Sequence, residues 1–351
     1  MTRTVSKLSR EEGSISISNG NGITVATDDF SLSLDPKSAS KCDFTFVSHA
    51  HIDHVHVPNG KSKVIASKET KELAKIRGYN LGEVVSEAPN IELIDSGHIL
   101  GSRAILIKDR VLYTGDLCSR DRAFLKGFKG TSCETLIIES TYGRRHYIFP
   151  NNSDIVAEVN RFISYCFDSG RPLIVTGYPL GKAQLLSYLL RDWEPVYVVD
   201  SIHRMNHCHV KLGVDLKEFE LFGSSKAFEE KAKRGPWILI APSTSGKSNF
   251  VHSMREKYNP IIATFSGWAI DSRYRFSMNL DKAFPLSDHC DFSELIDFVR
   301  NCNPSKVYTV HGFASEFAAY LRGLGFDAEP LEHGEQENDY VSQRTLTSFS
   351  H

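Results

Sequence analysis

Four potential metal ligands fall within six residues of the chain, in the stretch S-H-A-H-I-D-H: His49, His51, Asp53 and His54. Imidazole nitrogens bind zinc and other first-row metals, and a carboxylate adds a charged oxygen ligand. In an extended backbone His49 and His51 point to one face and His54 to the other. Asp53 can join His54 only where the chain turns, so the stretch predicts two ligand pairs aimed at two points. A solvated histidine-rich loop is the alternative.

The elements that must position these side chains are short apolar strands. The run C-D-F-T-F-V, just before the histidines, predicts a buried strand, and the ligands follow at its end. A strand end holds the backbone while side chains from several strands converge. Further candidates occupy the same position: His98 after Ile91–Ile94, Asp116 after Val111–Thr114, Glu139 after Thr135–Ile138, His289 after Ala283–Leu286 and His311 after Lys306–Val310.

Two aspartates have separate expected roles. Asp116 could bridge two metal ions, because a carboxylate has two oxygens to share. Asp35 follows the predicted strand Phe30–Leu34 and could orient a ligand histidine from behind. A plain Asp-Pro turn is the alternative for Asp35.

Composition bounds the class of protein. The 351 residues are 41% hydrophobic and 24% charged, as in ordinary soluble globular proteins. No apolar run reaches membrane-spanning length and the N-terminus shows no apolar signal region, so we expect a cytoplasmic protein without membrane contact. The seven scattered cysteines indicate reduced thiols. A formal net charge of −2 means that any polyanion binding must come from a local patch.

The middle of the chain changes pattern. From Arg144 to about Ile261, predicted strands and helices alternate, which indicates an α/β arrangement with a parallel sheet. A second histidine cluster, His203, His207 and His209, lies here without an acidic neighbour in the motif. We interpret it as the start of a surface helix, with a second metal site as the alternative.

The ordered motifs resemble one known family. The stretches S-H-A-H-I-D-H, D-S-G-H-I-L-G-S, Y-T-G-D, I-I-E-S-T-Y-G and L-S-D-H-C-D-F look like those of the β-CASP nucleases of the metallo-β-lactamase superfamily. The resemblance implies an α/β fold, with a metallo-β-lactamase αββα sandwich formed by residues 1–143 and 265–340. An inserted α/β β-CASP domain would occupy residues 144–264 and cap the sandwich across a cleft. Residues 341–351 would be a polar tail.

The resemblance also implies a role for each ligand candidate. His49, His51 and His98 would bind one zinc ion, Asp53, His54 and His311 a second, and Asp116 would bridge the two. The ions would activate a water for in-line attack at phosphorus. His289 would stand beside the scissile phosphate as acid or clamp, held by Glu139, while Asp35 would hold a ligand histidine. The expected catalytic residues are therefore His289, Asp53, Glu139 and Asp35.

A Ser/Gly-rich segment, A-P-S-T-S-G-K-S, is similar in sequence to a phosphate-binding P-loop. ATP binding would predict an acidic residue at the end of a later buried strand, but the next strand ends in Ser266-Gly267-Trp268. The family resemblance places a substrate-facing loop here, so we expect contacts to a phosphodiester backbone. The expected substrate-binding residues are Ser243, Ser245, Gly246, Lys247 and Lys182, with Lys126, Lys129, Arg144 and Arg145 as further candidates for a basic lining.

The resulting expectation is a zinc-dependent nuclease acting on single-stranded nucleic acid. An RNA-processing exonuclease, of the kind that processes 3′ ends, is favoured over DNA cleavage because of His311. One alternative is a DNA-repair exonuclease of the ligase-associated type. A small-molecule hydrolase of thioesterase type is disfavoured by the long insert and by E-S-T-Y-G, and a non-catalytic scaffold by the complete ligand set. A homodimer is left open.

Overall fold

The computed structural model describes residues 3–8, 13–20, 22–56, 62–224 and 235–331, with residues 228, 230 and 232 between the last two ranges. The predicted polar tail at 341–351 lies outside the described residues. The chain divides into two compact units. The first takes in the described residues through Asp121 together with Leu125–His146 and residues 289–331. The second takes in Arg122–Phe124 and Tyr147–Asp288.

The first unit contains two sheets. The first sheet has seven strands, which lie in sequence order: β1 Arg3–Leu8, β2 Ile15–Gly20, β3 Gly22–Ala26, β4 Ser31–Leu34, β5 Phe44–Phe46, β6 Lys63–Ile65 and β7 Val84–Val85. The second has six strands: β8 Ile91–Asp95, β9 Arg103–Ile107, β10 Val111–Tyr113, β11 Thr135–Glu139, β18 Lys306–Val310 and β19 Ala328–Pro330. The order across this second sheet is β19-β18-β11-β10-β9-β8.

One apolar core joins the two sheets. It includes Ile17 and Leu32 from the first sheet and Ile105, Tyr113 and Tyr308 from the second. A second core packs the other face of the six-stranded sheet against two helices, α7 Phe292–Cys302 and α8 Ala314–Gly323. Helix α1, Lys68–Ile76, follows β6. The predicted metallo-β-lactamase sandwich is confirmed.

The strand order brings the predicted site residues to one edge. β10 runs parallel to β11, and β11 runs parallel to β18, so their carboxyl ends meet at the same edge of the sheet. Asp116 follows the first of these strands, Glu139 ends the second and His311 follows the third. Chain segments far apart in sequence therefore deliver their side chains to one place.

The second unit is built on a six-stranded, fully parallel sheet. The strands are β12 Leu173–Gly177, β13 Val196–Val198, β14 Glu220–Leu221, β15 Ile238–Pro242, β16 Ile261–Phe265 and β17 Lys282–Phe284. Their order across the sheet is β14-β13-β15-β12-β16-β17. Its helices are α2 Asn152–Asp168, α3 Lys182–Leu189, α4 Asp200–Lys211, α5 Asn249–Tyr258 and α6 Arg273–Met278. The predicted parallel α/β insert is confirmed. No helix in the described ranges is long and apolar enough to cross a bilayer.

The boundary of the second unit differs from the expected one. The expected insert ended at residue 264, whereas the compact unit extends to Asp288. The reason is strand pairing, because β17 pairs in parallel with β16 and extends the same sheet. At the other end the unit begins at Tyr147 and not at residue 144.

Candidate metal centre

Four of the predicted ligands converge within the first unit. His49, His51, His98 and Asp116 place one donor atom each within 4.8 Å of one another. His49 Nε2 lies 3.5 Å and His98 Nε2 lies 3.6 Å from Asp116 Oδ2, and His51 Nδ1 lies 3.2 Å from His98 Nε2. All four residues are buried. They are brought together from three separate strand ends.

The spacing of these atoms fits a shared metal ion. Two nitrogens that bind one tetrahedral zinc at about 2.0–2.1 Å lie roughly 3.3 Å apart. The separations of 3.2 to 3.6 Å match that value. In the described part of the chain, the buried Nε2 of His49 finds no hydrogen-bond partner, and neither does the buried Nε2 of His311. Because buried polar atoms are normally satisfied, these two nitrogens indicate places for a metal ligand bond.

A second group of donors lies on the other side of the same carboxylate. His54 Nε2 is 3.5 Å from Asp116 Oδ1 and 3.7 Å from Asp53 Oδ2. The His311 ring lies 5.4 Å from the His54 ring, centroid to centroid. The two oxygens of Asp116 thus face different histidines. This is the arrangement that a bridging carboxylate requires.

The backbone that presents His311 is unusual. His311 has φ +58°, in the left-handed region that non-glycine residues rarely adopt, and Gly312 follows with φ +53°. A side chain on Gly312 would come within 2.5 Å of the Ser140 carbonyl oxygen. The Ser140 hydroxyl lies 2.6 Å from the His311 carbonyl oxygen and 2.9 Å from that of Val310. Ser140, in the motif I-I-E-S-T-Y-G, therefore fixes the turn that carries His311.

Asp35 occupies the centre of a buried hydrogen-bond network behind the ligands. Its Oδ1 accepts from the Ser48 backbone N–H at 2.7 Å, and its Oδ2 accepts from the Ser48 hydroxyl at 2.6 Å. Oδ2 also lies 2.9 Å from His54 Nδ1 and accepts from the Tyr113 hydroxyl at 2.9 Å. The Ser48 oxygen lies 2.9 Å from His49 Nδ1. The expected role of Asp35, orienting a ligand histidine, thus has a specific partner in His54.

These contacts fix the tautomers of two histidines. Because the Ser48 hydroxyl donates to Asp35, it accepts from His49, which places the proton of that ring on Nδ1. A carboxylate can only accept, so His54 also carries its proton on Nδ1. In the neutral form of each ring, which is the form that binds a metal, Nε2 then has its lone pair on the side of Asp116.

The surroundings of His49 and His54 shift the pKa values of these two histidines in opposite directions. Burial, reinforced by the neighbouring histidines His54, His51 and His98, holds the pKa of His49 well below its usual value, so its imidazole is neutral. Burial acts in the same direction on His54. There, however, Asp116, Asp53 and Asp35 outweigh it and raise the pKa of His54 well above the ordinary value. Three carboxylates therefore favour positive charge at this point of the site.

His289 stands next to the ligands and is held by a different acid. Its Nδ1 lies 2.8 Å from Glu139 Oε1, and its ring lies 4.5 Å from that of His98. Glu139 also accepts from the Leu117 N–H at 2.8 Å and from the Thr141 hydroxyl. Burial alone would raise the pKa of Glu139, but His289 and these hydrogen bonds outweigh it and lower the pKa. The His289 side chain is 19% exposed, whereas Glu139 is buried.

The comparisons with known proteins agree with this arrangement. Residues 278–329 match the family described as "Zn-dependent metallo-hydrolase RNA specificity domain". The chain is 31% identical over 297 residues to a probable DNA ligase of Opitutus terrae, covering 81% of this chain and 28% of that protein. It is 24% identical over 379 residues to a probable RNase of Methanocaldococcus jannaschii, covering 84% and 88%. The chain belongs to the β-CASP metallo-β-lactamase family. Its relatives include proteins named as RNase J-like and as cleavage and polyadenylation specificity factor subunits.

A solved structure shows the same fold. A protein of unknown function from Enterococcus faecalis V583 superposes with a TM-score of 0.57 at 14% sequence identity, covering 90% of this chain and 95% of that one. At this identity the likeness concerns the fold alone. This β-CASP chain spans about a quarter of the ligase relative named above, so the ligase's whole activity does not carry over to it.

The Ser/Gly-rich loop of the β-CASP chain follows β15 at the carboxyl edge of the parallel sheet. Its backbone donors are largely used within the protein. The Ser243 N–H donates to Gly177 O at 2.7 Å, the Gly246 N–H to Met278 O at 2.8 Å and the Lys247 N–H to Ser245 Oγ at 3.2 Å. A P-loop needs such donors for phosphates. The geometry therefore gives no support to the ATP alternative.

Two of the expected substrate-binding residues have close partners inside the second unit. Gly246 is buried, and a side chain there would overlap the Asn279 carbonyl oxygen, so this glycine serves close packing. Lys182 is buried and its ammonium lies 2.7 Å from Asp288 Oδ1. Its charge is neutralised inside the second unit. Lys247 is exposed, and Ser243 and Ser245 are half-buried.

The second histidine cluster does not converge. Helix α4 carries all three histidines, as expected of a helix, but their environments differ. His207 Nδ1 lies 2.8 Å from Glu218 Oε1 at the surface. His209 is buried and donates from Nδ1 to the Met205 carbonyl oxygen at 2.8 Å, which departs from the expected surface position. No shared metal position arises among the described donors of this cluster.

The remaining basic candidates lie in the first unit and have partners. Arg144 binds Glu316 and stacks 3.9 Å above the Phe313 ring, and Arg145 lies 4.6 Å above the Tyr320 ring. Lys126 lies 3.3 Å from Asp121, and Lys129 donates to the Ser119 carbonyl oxygen.

Proposed function

We propose that this protein hydrolyses phosphodiester bonds of single-stranded nucleic acid with two zinc ions. The observation that carries the proposal is the position of Asp116, whose two oxygens face two separate sets of buried histidines. A single-ion site would need only one of these sets. Two adjacent ions suit an in-line displacement at phosphorus, because both the attacking and the leaving oxygen carry negative charge.

Seven residues would hold the ions. His49, His51 and His98 form one set, Asp53, His54 and His311 form the other, and Asp116 serves both. When bound, the zinc ions would lower the pKa of the attacking water and balance the charge on the phosphate oxygens. Asp35 keeps His54 in the ligating tautomer through Nδ1, and Ser48 does the same for His49.

His289 has a separate role in the proposal. Its Nδ1–H is committed to Glu139, so Nε2 is the ring atom that can hold a proton for the leaving oxygen or donate to a phosphate oxygen. Glu139 is a positioning residue, because it touches His289 and not the reacting atoms. Partial exposure of His289 leaves it reachable from solvent, as a group that meets substrate must be.

A single strand suits this centre better than a duplex. The reacting phosphate must reach donors that are almost wholly buried. A single strand can bend to bring one phosphate in, whereas duplex DNA is stiff over about 150 base pairs and carries a second backbone. We therefore infer that single strands are preferred.

RNA is the favoured polymer and DNA the second candidate. The match to a domain described by RNA specificity and the likeness to a probable RNase support RNA. The likeness to a probable DNA ligase supports a ligase-associated DNA exonuclease instead. Cytoplasmic location and a homodimer remain predictions.

The test is turnover on matched substrates. Zinc-loaded protein is incubated with end-labelled RNA and DNA of one sequence, each as single strand and as blunt duplex. We expect single-stranded RNA to be cleaved fastest. Equal rates on duplex and single strand would contradict the single-strand inference, and a clear preference for DNA would favour the second candidate.

The controls separate chemistry from contamination. His51→Ala, prepared in parallel, removes a ligand and should show no cleavage of any substrate. Failure of zinc-loaded wild-type protein to cleave any of the four polymers would overturn the proposed function. Labels at the 5′ and 3′ ends distinguish exonuclease from endonuclease products in the same experiment.

A further inference from the structure

One aromatic side chain of the second unit is unusually exposed. Phe276, on helix α6, is 70% exposed, although burying a phenylalanine is normally favourable. The Arg275 guanidinium lies 4.4 Å from the centre of its ring. With one face covered by a cation, the other face of the ring remains available for a planar partner.

The Ser/Gly-rich loop is attached to the same helix. The Gly246 N–H donates to Met278 O at 2.8 Å, and the close approach of Gly246 to Asn279 requires a residue without a side chain. Lys247 therefore lies beside the end of helix α6 and is exposed. The loop that carries Lys247 is thus joined by a backbone hydrogen bond to the end of the helix that carries Arg275 and Phe276.

The charge of this surface is positive. Of the nearby acids, Asp271 binds Arg273 and the Asp281 carboxylate binds Arg255. Arg275 donates to the backbone carbonyl of Asp281, which leaves its charge in place. Among the described residues, neither Arg275 nor Lys247 has a carboxylate partner.

We propose that Phe276, Arg275 and Lys247 form a contact for single-stranded nucleic acid, in which Phe276 stacks on an unpaired base and the two cations bind phosphates. An exposed ring flanked by cations is how proteins bind single strands without reading sequence. A duplex keeps its bases stacked inside and cannot offer one to Phe276. The inference rests on the proposed function, because it assumes that the substrate is a nucleic acid.

The test measures binding without cleavage. Full-length, zinc-loaded His289→Ala protein serves as the background, and its affinity for a fluorescein-labelled 20-nucleotide single strand is read by anisotropy. Adding Phe276→Ala should weaken binding roughly 5- to 150-fold, the range for loss of one base–aromatic stack. Phe276→Trp should retain the affinity, because it also has an exposed planar ring.

Matched controls address the alternatives. Tyr165 is 62% exposed on helix α2 of the same unit, so Tyr165→Ala removes an exposed aromatic elsewhere and should leave the affinity unchanged. Arg275→Gln should reduce the slope of log affinity against log salt by about 0.7, the value for one phosphate contact on a single strand. Binding to a matched duplex should not depend on Phe276.

Several outcomes would overturn the inference. They are an unchanged affinity in Phe276→Ala, an equal loss in Tyr165→Ala, or a change of oligomeric state in Phe276→Ala without loss of affinity. The last would make the surface a protein interface. The proposed function fails separately, if wild-type protein cleaves no labelled strand. Cleavage by wild type with unaltered binding in Phe276→Ala would sink this inference alone.

Discussion

Two stretches of the sequence are similarly rich in histidine, but only one of them forms a converging cluster in the structure. In the first unit, His49, His51 and His54 converge with Asp116 at a buried point. In the second unit, His207 pairs with Glu218 at the surface, while His209 is buried and bonds the Met205 carbonyl oxygen of its own helix. The difference lies in the backbone. Strand ends direct side chains from several segments to one place, whereas His207 and His209, two positions apart on a single helix, point to different faces.

The buried histidines of the two clusters also differ in charge environment. Three carboxylates surround His54 and raise its pKa well above the usual value. His209 has a backbone carbonyl as its hydrogen-bond partner, and burial lowers its pKa to about 4. A cation is favoured at the first position and disfavoured at the second. Metal binding and stability measurements can therefore test the comparison independently.

Removing a ligand from the first cluster should have the largest effect. In His51→Ala the zinc content should fall from two ions per chain to one or none. Turnover should fall by more than the roughly 10²–10⁴ typical of a general acid–base group. Metal analysis of purified protein, before and after zinc addition, is the measurement.

The matched variant is His207→Ala in the second cluster, which should keep the full metal content. Loss of zinc from that variant would remove the distinction between the clusters. A wild-type content well below one ion per chain, not restored by added zinc, would refute the metal centre itself.

His289 should separate catalysis from metal binding. His289→Ala should keep its zinc and lose turnover by about 10²–10⁴, because a group that protonates the leaving oxygen or clamps the phosphate is lost. Metal content and single-turnover rate are measured on the same preparation. Zinc loss in this variant would make His289 a ligand and would contradict its proposed role.

His209 should impose a pH dependence on the stability of the second unit. The pKa of His209 is about 4 in the folded protein against 6.5 ordinarily, so the unfolded chain takes up its proton first as the pH falls. The contribution is constant above pH 6.5, and stability is lost between pH 6.5 and 4, by about 3 kcal/mol.

Tryptophan fluorescence can report this unit, since Trp193, Trp237 and Trp268 all lie within it. Urea unfolding curves of wild type and His209→Leu are compared across that pH range. The variant should show a shallower decline in unfolding free energy. Parallel declines in the two proteins would show that His209 is not the source.

The network behind the ligands should have a smaller effect on zinc. Ser48→Ala removes the hydroxyl shared by Asp35 and His49, and we expect zinc affinity to fall about 10- to 100-fold. Ser187→Ala is the control, because Ser187 is a buried, hydrogen-bonded serine of the second unit. Competition with a zinc chelator gives the affinities. An equal loss in both variants would indicate a general stability effect.

The sequence predicted the histidines and carboxylates that converge as candidate metal ligands, and it did not predict the uncharged residues that support them. His98 and His311 could be found because rare residue types follow predicted strands. Ser48, Tyr113 and Ser140 are ordinary residue types, and their partners lie up to 171 positions away. Such contacts depend on strand order and register, which local patterns do not encode.

The internal partners of Lys182 and Gly246 could not be predicted for the same reason. A basic residue and a glycine beside a predicted loop are expected to face a phosphate backbone. The structure shows that Asp288 pairs with the lysine ammonium and that the Met278 carbonyl oxygen accepts from the glycine N–H. The parallel sheet around them was predictable from alternating strands and helices, but the choice of partner at its edge was not.

Among these variants, Lys247→Ala should have the smallest effect, which we expect on single-strand affinity. It tests directly whether the second unit contacts the strand. Unlike Lys182 in the same region, it is exposed and has no carboxylate partner among the described residues. Its loop is held to helix α6 through Gly246, so the ammonium is carried on a fixed support. Lys247→Ala should therefore weaken single-strand binding to a similar degree for unrelated sequences, and should lower the slope of log affinity against log salt by about 0.7. Arg204→Gln is the control, because Arg204 is neutralised by Asp200 at 3.0 Å.

Anisotropy titrations at four salt concentrations give the salt slopes of both variants. A sequence-dependent loss would mean that Lys247 contacts a base. An unchanged slope would mean that Lys247 does not touch the strand, which would leave Phe276 and Arg275 as the proposed contacts of the second unit.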